Sequence, residues 1–211
     1  MEFENSLAAF RRAVQDGADA VELDVHATAD GEIVVHHDDT IAGQPIASLP
    51  AATVRRHLLP NGEPIPTLDQ TLDVIGPRLT VFVEVKGLSS GDDDSLLAVI
   101  AAGPAPDNCQ VHSFDHRIVK RLRALRPALR TGILSCGFPV DPLRQVTDAG
   151  AVALWMEQSL IDDALVGAVH EGKARVYAWT VDDPRRLRAL AGMGVDGLCT
   201  NHPARAREAL A

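Results

Sequence analysis

The chain has 211 residues, 46% of them hydrophobic and 23% charged, the make-up of one packed globular domain rather than a disordered chain. With 20 Lys+Arg against 29 Asp+Glu its net charge is -9, which argues against a nucleic-acid backbone as partner. No apolar run approaches the roughly 20 residues needed to span a bilayer, so no transmembrane segment is expected. Asn5 is placed to cap a helix from Ser6, whose apolar Leu7, Phe10 and Val14 recur at helical spacing, and Asp16-Gly17 ends it. Residues 20–25 read as a strand; a turn at Ala29-Asp30-Gly31 leads to a second short run over 32–35. A loop rich in Pro and Gly occupies about 39–66, an insertion too short for a sizeable cap domain. Thr67 caps a helix over 68–75, and 79–85 is the next strand.

From there helices and strands alternate. Helices are expected near 95–102, 118–125, 142–148, 162–170 and 184–193 and at the C-terminus, with strands near 110, 131–134, 152, 175–180 and 197–200. The main strands, near 22, 82, 110, 132, 152, 177 and 198, alternate with helices as parallel βαβ units do. An open doubly wound sheet would suit that alternation, but no GxGxxG follows any strand. An α/β barrel of the TIM (β/α)8 type, lacking its first β-strand, fits both the strand count and a chain that opens on a helix. The whole of 1–211 then forms a single barrel domain, and its open seam favours association with a second copy of the chain. Cys109, Cys136 and Cys199 lie far apart, in no disulfide or zinc spacing, and are expected as small buried thiols. The acidic opening Met1-Glu2-Phe3-Glu4 is no secretory signal, so a cytoplasmic protein is expected.

Chemistry concentrates on two strands. Period two puts Val21, Leu23 and Val25 on one face and Glu22, Asp24 and His26 on the other. The run from Val81 to Lys86 repeats the design, with Glu84 and Lys86 opposite Val81, Val83 and Val85. Active sites of such barrels lie at the C-terminal ends of the strands. Carboxylates gathered there repel unless a cation sits among them, and an all-oxygen set suits Mg²⁺ or Ca²⁺. The simpler alternative is a half-exposed strand whose acids face water, with Lys86 an ordinary ion-pair partner of Glu84. His36-His37-Asp38 supplies a candidate general acid or base on a loop, and the spacing alone does not choose between the two rings.

Glu4-Asn5-Ser6, Gly17-Ala18-Asp19, Glu22-Leu23-Asp24, Thr28 to Gly31 and Val34 to Asp38 together resemble the opening of the glycerophosphodiester phosphodiesterases, whose pattern reads PEN(T/S)LxAF, GAD, ELDV, TxDG and VVxHD. The resemblance continues through Ile65 to Leu68, Glu84-Val85-Lys86, Ser113-Phe114-Asp115, Trp179-Thr180-Val181, Gly194 to Gly197 and Thr200 to Pro203. It implies a TIM-type barrel that cleaves a glycerophosphodiester to an alcohol and glycerol phosphate, a step of lipid metabolism, with a divalent cation. By motif position Glu22, Asp24 and Glu84 match the metal ligands, His37 one of two catalytic histidines and Lys86 a lysine near the phosphate. Trp179 and Phe114 fall where the family often has aromatics that line the substrate, with core packing the alternative for each; Trp179, which ends a predicted strand, is the stronger of the two. The family pattern opens on a strand ending in His-Arg-Gly, and no such motif precedes Glu4 in this sequence. His116-Arg117 repeats two of its letters but opens a predicted helix. A catalytically impaired barrel that binds a diester, or serves a structural role, is the alternative this difference raises.

Overall fold

The computed structural model describes residues 2–211, which divide into two compact units, one ending at Gln110 and the other running from Val111 to Ala211. The first contains α1 (Leu7–Gln15), β1 (Ala20–Ala27), β2 (Ile33–Val35), β3 (Thr40–Ile41), β4 (Gln44–Pro45), α2 (Ala51–Val54), α3 (Leu68–Ile75), β5 (Thr80–Gly87) and α4 (Asp93–Ala102). β6 (Cys109–Ser113) runs across the boundary. The second unit continues with α5 (His116–Leu125), β7 (Arg130–Ser135), α6 (Pro142–Asp148), β8 (Ala153–Glu157), α7 (Asp163–Glu171), β9 (Arg175–Trp179), α8 (Pro184–Gly192), β10 (Gly197–Leu198) and α9 (Pro203–Leu210).

In the first unit β1 lies parallel to β5, with Ala20 opposite Thr80 and Asp24 opposite Glu84. The apolar face of the pair is closed to solvent: Leu23, Val25, Val83 and Val85 are all buried. That burial makes the register unambiguous, because a slip of one residue would turn every valine toward the polar face. The register slips once, at the end, where Val25 faces Val85 but His26 faces Gly87, so Lys86 is the extra residue of a β-bulge. β2 returns antiparallel along β1, pairing Val35, Val34 and Ile33 with Val25, His26 and Ala27. The edge of β1 expected to stand open is thus covered by the chain itself over that stretch.

The segment between β2 and α3 is more ordered than a loop. Ala42 and Gly43, at φ 50° and 78°, turn the β3–β4 hairpin, and Ile41, Ile46, Val54, Leu59 and Ile65 pack with Val34 into a small core of their own. α3 opens as expected, with Thr67 and Gln70 closing a reciprocal capping box.

In the second unit β7, β8, β9 and β10 follow one another in parallel register over a core that includes Ile133, Leu154, Met156, Val176, Leu187 and Leu190. Two strand glycines make room for rings. A Cβ on Gly132 would stand 2.9 Å from Trp155 Cδ1, and one on Gly197 2.6 Å from Tyr177 Cδ1. The space so released holds a stack in which Trp155 lies 4.4 Å from His112 and 4.7 Å from Tyr177, ring centre to ring centre. Of the cysteines, Cys109 is buried, its thiol pushed up to about 11 by desolvation, and Cys199 is half-buried. Cys136 departs from expectation: it is exposed, because the chain leaves β7 one residue before it.

His116-Arg117 has a structural role. Asp115 caps α5 by accepting from the Arg117 N–H at 3.0 Å, and its carboxylate also takes the Arg117 guanidinium at 2.8 and 2.7 Å. His116 Nε2 donates to the Leu134 carbonyl at 2.9 Å. The Arg117 pair holds the Asp115 carboxyl down at about 2. Asp115→Ala should therefore cost about 1 kcal/mol in urea denaturation at neutral pH. A group whose folded value is depressed stabilises above its ordinary value of about 4 and loses that contribution as the pH falls toward the folded one. The gap between wild type and variant should accordingly narrow as the pH falls from about 4 to about 2, and a pH-independent gap would remove the cap from the explanation.

Candidate functional site

The β1–β5 register assembles the first unit's polar face. Glu22, Asp24 and His26 alternate along one side of β1, and Glu84 stands beside Asp24 on the same side of β5. A carboxylate oxygen of Glu22 and one of Glu84 lie within 4.8 Å of each other. Lys86 reaches into this group from the bulge, its Nζ 3.0 Å from Asp24 Oδ1 and 2.7 Å from Glu84 Oε1. Asp24 and Glu84 are buried and Glu22 half-buried.

The electrostatics follow from that placement. Burial, reinforced by the Asp24 charge, pushes the Glu22 carboxyl up to about 8. Burial likewise raises Glu84, against the opposing pull of Lys86. Desolvation works against the Lys86 charge, but Asp24 and Glu84 outweigh it and hold the ammonium above its usual range. One cation is thus shared among more carboxylates than it neutralises. A carboxyl held near 8 keeps its proton at neutral pH unless positive charge comes closer. The first unit's donors fit a hard divalent cation: they are carboxylate oxygens, partly desolvated and short of positive charge.

Two backbone contacts bring the His36–His37 segment to β1. The His36 N–H donates to the Asp24 carbonyl at 3.0 Å, and His26 Nε2 lies 3.3 Å from the His37 carbonyl. A carbonyl only accepts, so the His26 hydrogen sits on Nε2; burial lowers this imidazole and keeps it neutral. The two candidate rings then differ. His36 is half-buried and lowered by desolvation. His37 is exposed, its Nδ1 2.9 Å from Asp38 Oδ1, and this hydrogen bond raises its affinity for a proton.

The sequence reading missed one residue here. Ser6, not Asn5, caps α1, its side chain accepting from the Ala9 N–H. Asn5 is buried at 8% exposure with φ 55°, and its Nδ2 donates to Asp24 Oδ2 at 2.7 Å while its Oδ1 accepts from the Asp24 N–H at 3.2 Å. The opposite amide orientation would set oxygen against carboxylate and NH₂ against N–H, so the contacts fix it. The signal was present in the sequence: Asn5-Ser6 offers two capping residues where one suffices.

The two aromatic candidates lie in the second unit. Phe114 directly follows β6 and Trp179 ends β9, and their rings meet edge to face with centroids 5.6 Å apart. Phe114 is 45% exposed; the Trp179 Nε1 is buried and lacks a hydrogen-bond acceptor among the described residues.

Comparison with known proteins is decisive. The chain matches the Glycerophosphoryl diester phosphodiesterase family over residues 2–205. It belongs to this family. A glycerophosphodiester phosphodiesterase of Caldanaerobacter subterraneus subsp. tengcongensis is 30% identical over 218 residues, covering 95% of this chain and 89% of that protein. The crystal structure of a glycerophosphodiester phosphodiesterase from Parabacteroides distasonis aligns with a TM-score of 0.89 at 25% identity, over 98% of this chain and 90% of the other. An Oleispira antarctica phosphodiesterase, solved in complex with the product sn-glycerol-3-phosphate, aligns with a TM-score of 0.87 at 25% identity, over 98% of this chain and 91% of its own. Family membership makes the protein a phosphodiesterase-type hydrolase, and its fold class is the α/β, TIM-type barrel expected from the strand–helix alternation.

Proposed function

We propose that the protein hydrolyses glycerophosphodiesters to an alcohol and glycerol phosphate, using a divalent cation held by Glu22, Asp24 and Glu84. The observation that carries this reading is the convergence of those carboxylates with Lys86 on two adjacent parallel strands, Asp24 opposite Glu84. The cation, Mg²⁺ or Ca²⁺, supplies Lewis-acid polarisation of the phosphoryl group. Lys86 sits on a flexible stem beside the same oxygens and offers its ammonium to the negative charge that develops on the phosphoryl oxygens. His37 moves a proton at Nε2. Asp38 accepts from Nδ1–H, which sets the tautomer and supports the protonated form, the role a carboxylate plays toward a general acid–base imidazole.

Trp179 and Phe114 are proposed to line the substrate by their motif positions. The buried Trp179 N–H adds support, since a buried donor is costly until something accepts from it. The non-catalytic alternative is not favoured, because a protein that merely fills space gains nothing from concentrating buried carboxylates around one lysine. The proposed setting is the cytoplasm, in keeping with three cysteines that form no disulfide among the described residues; no helix among the described residues is long and apolar enough to cross a membrane.

The test is hydrolysis of glycerophosphocholine and of an activated bis-aryl phosphodiester with added Mg²⁺ or Ca²⁺. His37→Ala should lower kcat by about 10²-fold or more, the usual contribution of a positioned general acid or base. His36→Ala should stay within a few-fold of wild type, since its ring is neutral and half-buried. Equal losses in the two variants would undo the assignment to His37, and a wild type inert toward every diester would undo the function.

A further inference from the structure

The Asp24 carboxylate is not free to turn. Its Oδ2 receives the Asn5 amide at 2.7 Å, and the same asparagine accepts from the Asp24 N–H at 3.2 Å, closing a ring between the two residues. Its Oδ1 faces Lys86 Nζ at 3.0 Å. These two partners differ in how readily they let go. Lys86 is a point charge on a four-carbon stem with a second carboxylate, Glu84, to hold. Asn5 is buried, has both ends of its amide engaged by one residue, and sits on a left-handed backbone conformation that asparagine tolerates and most residues do not. Breaking its contact with Oδ2 would strand a buried amide donor. Oδ1 is therefore the oxygen an incoming cation competes for, and Oδ2 is withheld.

We infer that Asn5 is a positioning residue that limits Asp24 to a single ligating oxygen and thereby biases the site toward Mg²⁺ over Ca²⁺. The inference rests on the proposed cation site and deepens it. Mg²⁺ demands near-octahedral geometry with ligands at about 2.0–2.1 Å, keeps several waters, and takes carboxylates one oxygen at a time. Ca²⁺ gathers about 6–8 oxygens in flexible geometry and gains from carboxylates that swing to bidentate binding. Fixing one oxygen of Asp24 costs Mg²⁺ nothing and denies Ca²⁺ a ligand. Lys86 cannot supply this selectivity, because it holds the oxygen that either ion would need.

The experiment is calorimetric titration of metal-stripped protein with Mg²⁺ and with Ca²⁺, on wild type, Asn5→Gly and Asn5→Asp. Glycine accepts the left-handed backbone while removing both side-chain bonds. Aspartate keeps the acceptor for the Asp24 N–H and tolerates the same φ, but sets a carboxylate against Oδ2 in place of a donor. In wild type Mg²⁺ should bind at least as tightly as Ca²⁺. In both variants the ratio of Ca²⁺ to Mg²⁺ affinity should rise by about tenfold, the low end of what loss of a residue supporting a ligand does to metal affinity. A variant that simply loosened the fold would weaken both ions together and leave the ratio alone. If Asn5→Gly proves unfolded by circular dichroism, Asn5→Asp carries the test. Ions that bind with an unmoved ratio, or a wild type that already prefers Ca²⁺ tenfold, would overturn the role of Asn5 and leave the cation site standing. A wild type that binds neither ion would overturn both.

Discussion

Glu84→Gln should abolish the thermal response to divalent cation and take about 10³-fold from the hydrolysis. The amide matches the carboxylate in shape, so the variant keeps its place on β5 and its neighbour Asp24, while losing the charge and one of the two ligating oxygens. In wild type a cation at about 100 times its dissociation constant adds about 2.7 kcal/mol, because it binds only the folded chain. For a chain of this size each kcal/mol moves the melting temperature by about 2–4 °C, so a rise of roughly 5–11 °C is expected. Removing one of three anionic ligands weakens binding enough to erase that rise at millimolar metal. The catalytic loss follows from the several kcal/mol that a Lewis-acid ion contributes, where about 4 kcal/mol corresponds to ~10³-fold. Differential scanning fluorimetry with Mg²⁺, Ca²⁺ and EDTA reads the first effect, and diester hydrolysis the second. A wild-type melting temperature indifferent to metal, or an equal rise in the variant, would remove the cation from these carboxylates.

The parts of this site legible in the sequence were those written in local periods. Valine alternating with acid along residues 20–25 and 81–86 shows which side chains share a face, and glycine or a capping residue marks most helix ends within a residue or two. What brings Asp24 beside Glu84 is a pairing between strands separated by 60 positions, for which no local pattern exists. The motif order supplied that partnership in advance; periodicity could not. The bulge at Lys86 is invisible for a related reason: it is defined by the partner strand, and simple alternation gives no hint that the register slips there. Asn5 was misassigned because its use depends on a left-handed backbone angle and a residue 19 positions away. The small core beneath residues 39–66 escaped because Ile41, Ile46, Val54, Leu59 and Ile65 come from separate short elements, with no common period to read. Its hairpin turns on Ala42-Gly43, which lacks the Asn-Gly signature that would have announced it.

Lys86→Met should produce the largest change in stability, and one that metal reverses while activity does not return. The methionine keeps most of the stem's packing, so the variant chiefly removes the ammonium. Its loss leaves Asp24 and Glu84 buried without their partner, in reach of a Glu22 carboxyl already held at about 8. Deleting one member of a buried ion pair costs about 3–5 kcal/mol. The metal-free variant should therefore melt roughly 6–20 °C below wild type. The pH dependence has a definite sign. A carboxyl whose folded value is raised above its unfolded one favours the folded chain at low pH, and that contribution is lost as the pH rises through the folded value. The deficit of Lys86→Met should thus be smallest at acid pH, where the carboxyls that lose Lys86 are protonated, and grow as the pH rises and they ionise. Saturating Mg²⁺ or Ca²⁺ should restore most of the melting temperature, since the ion compensates the same oxygens that Lys86 held. Hydrolysis should remain down by about 10²-fold in saturating metal, because the charge that meets the phosphoryl oxygens is gone. Recovery of both properties with metal would make Lys86 a structural counter-ion only; a metal-free variant as stable as wild type at pH 8 would show that the carboxylates do not depend on it at all.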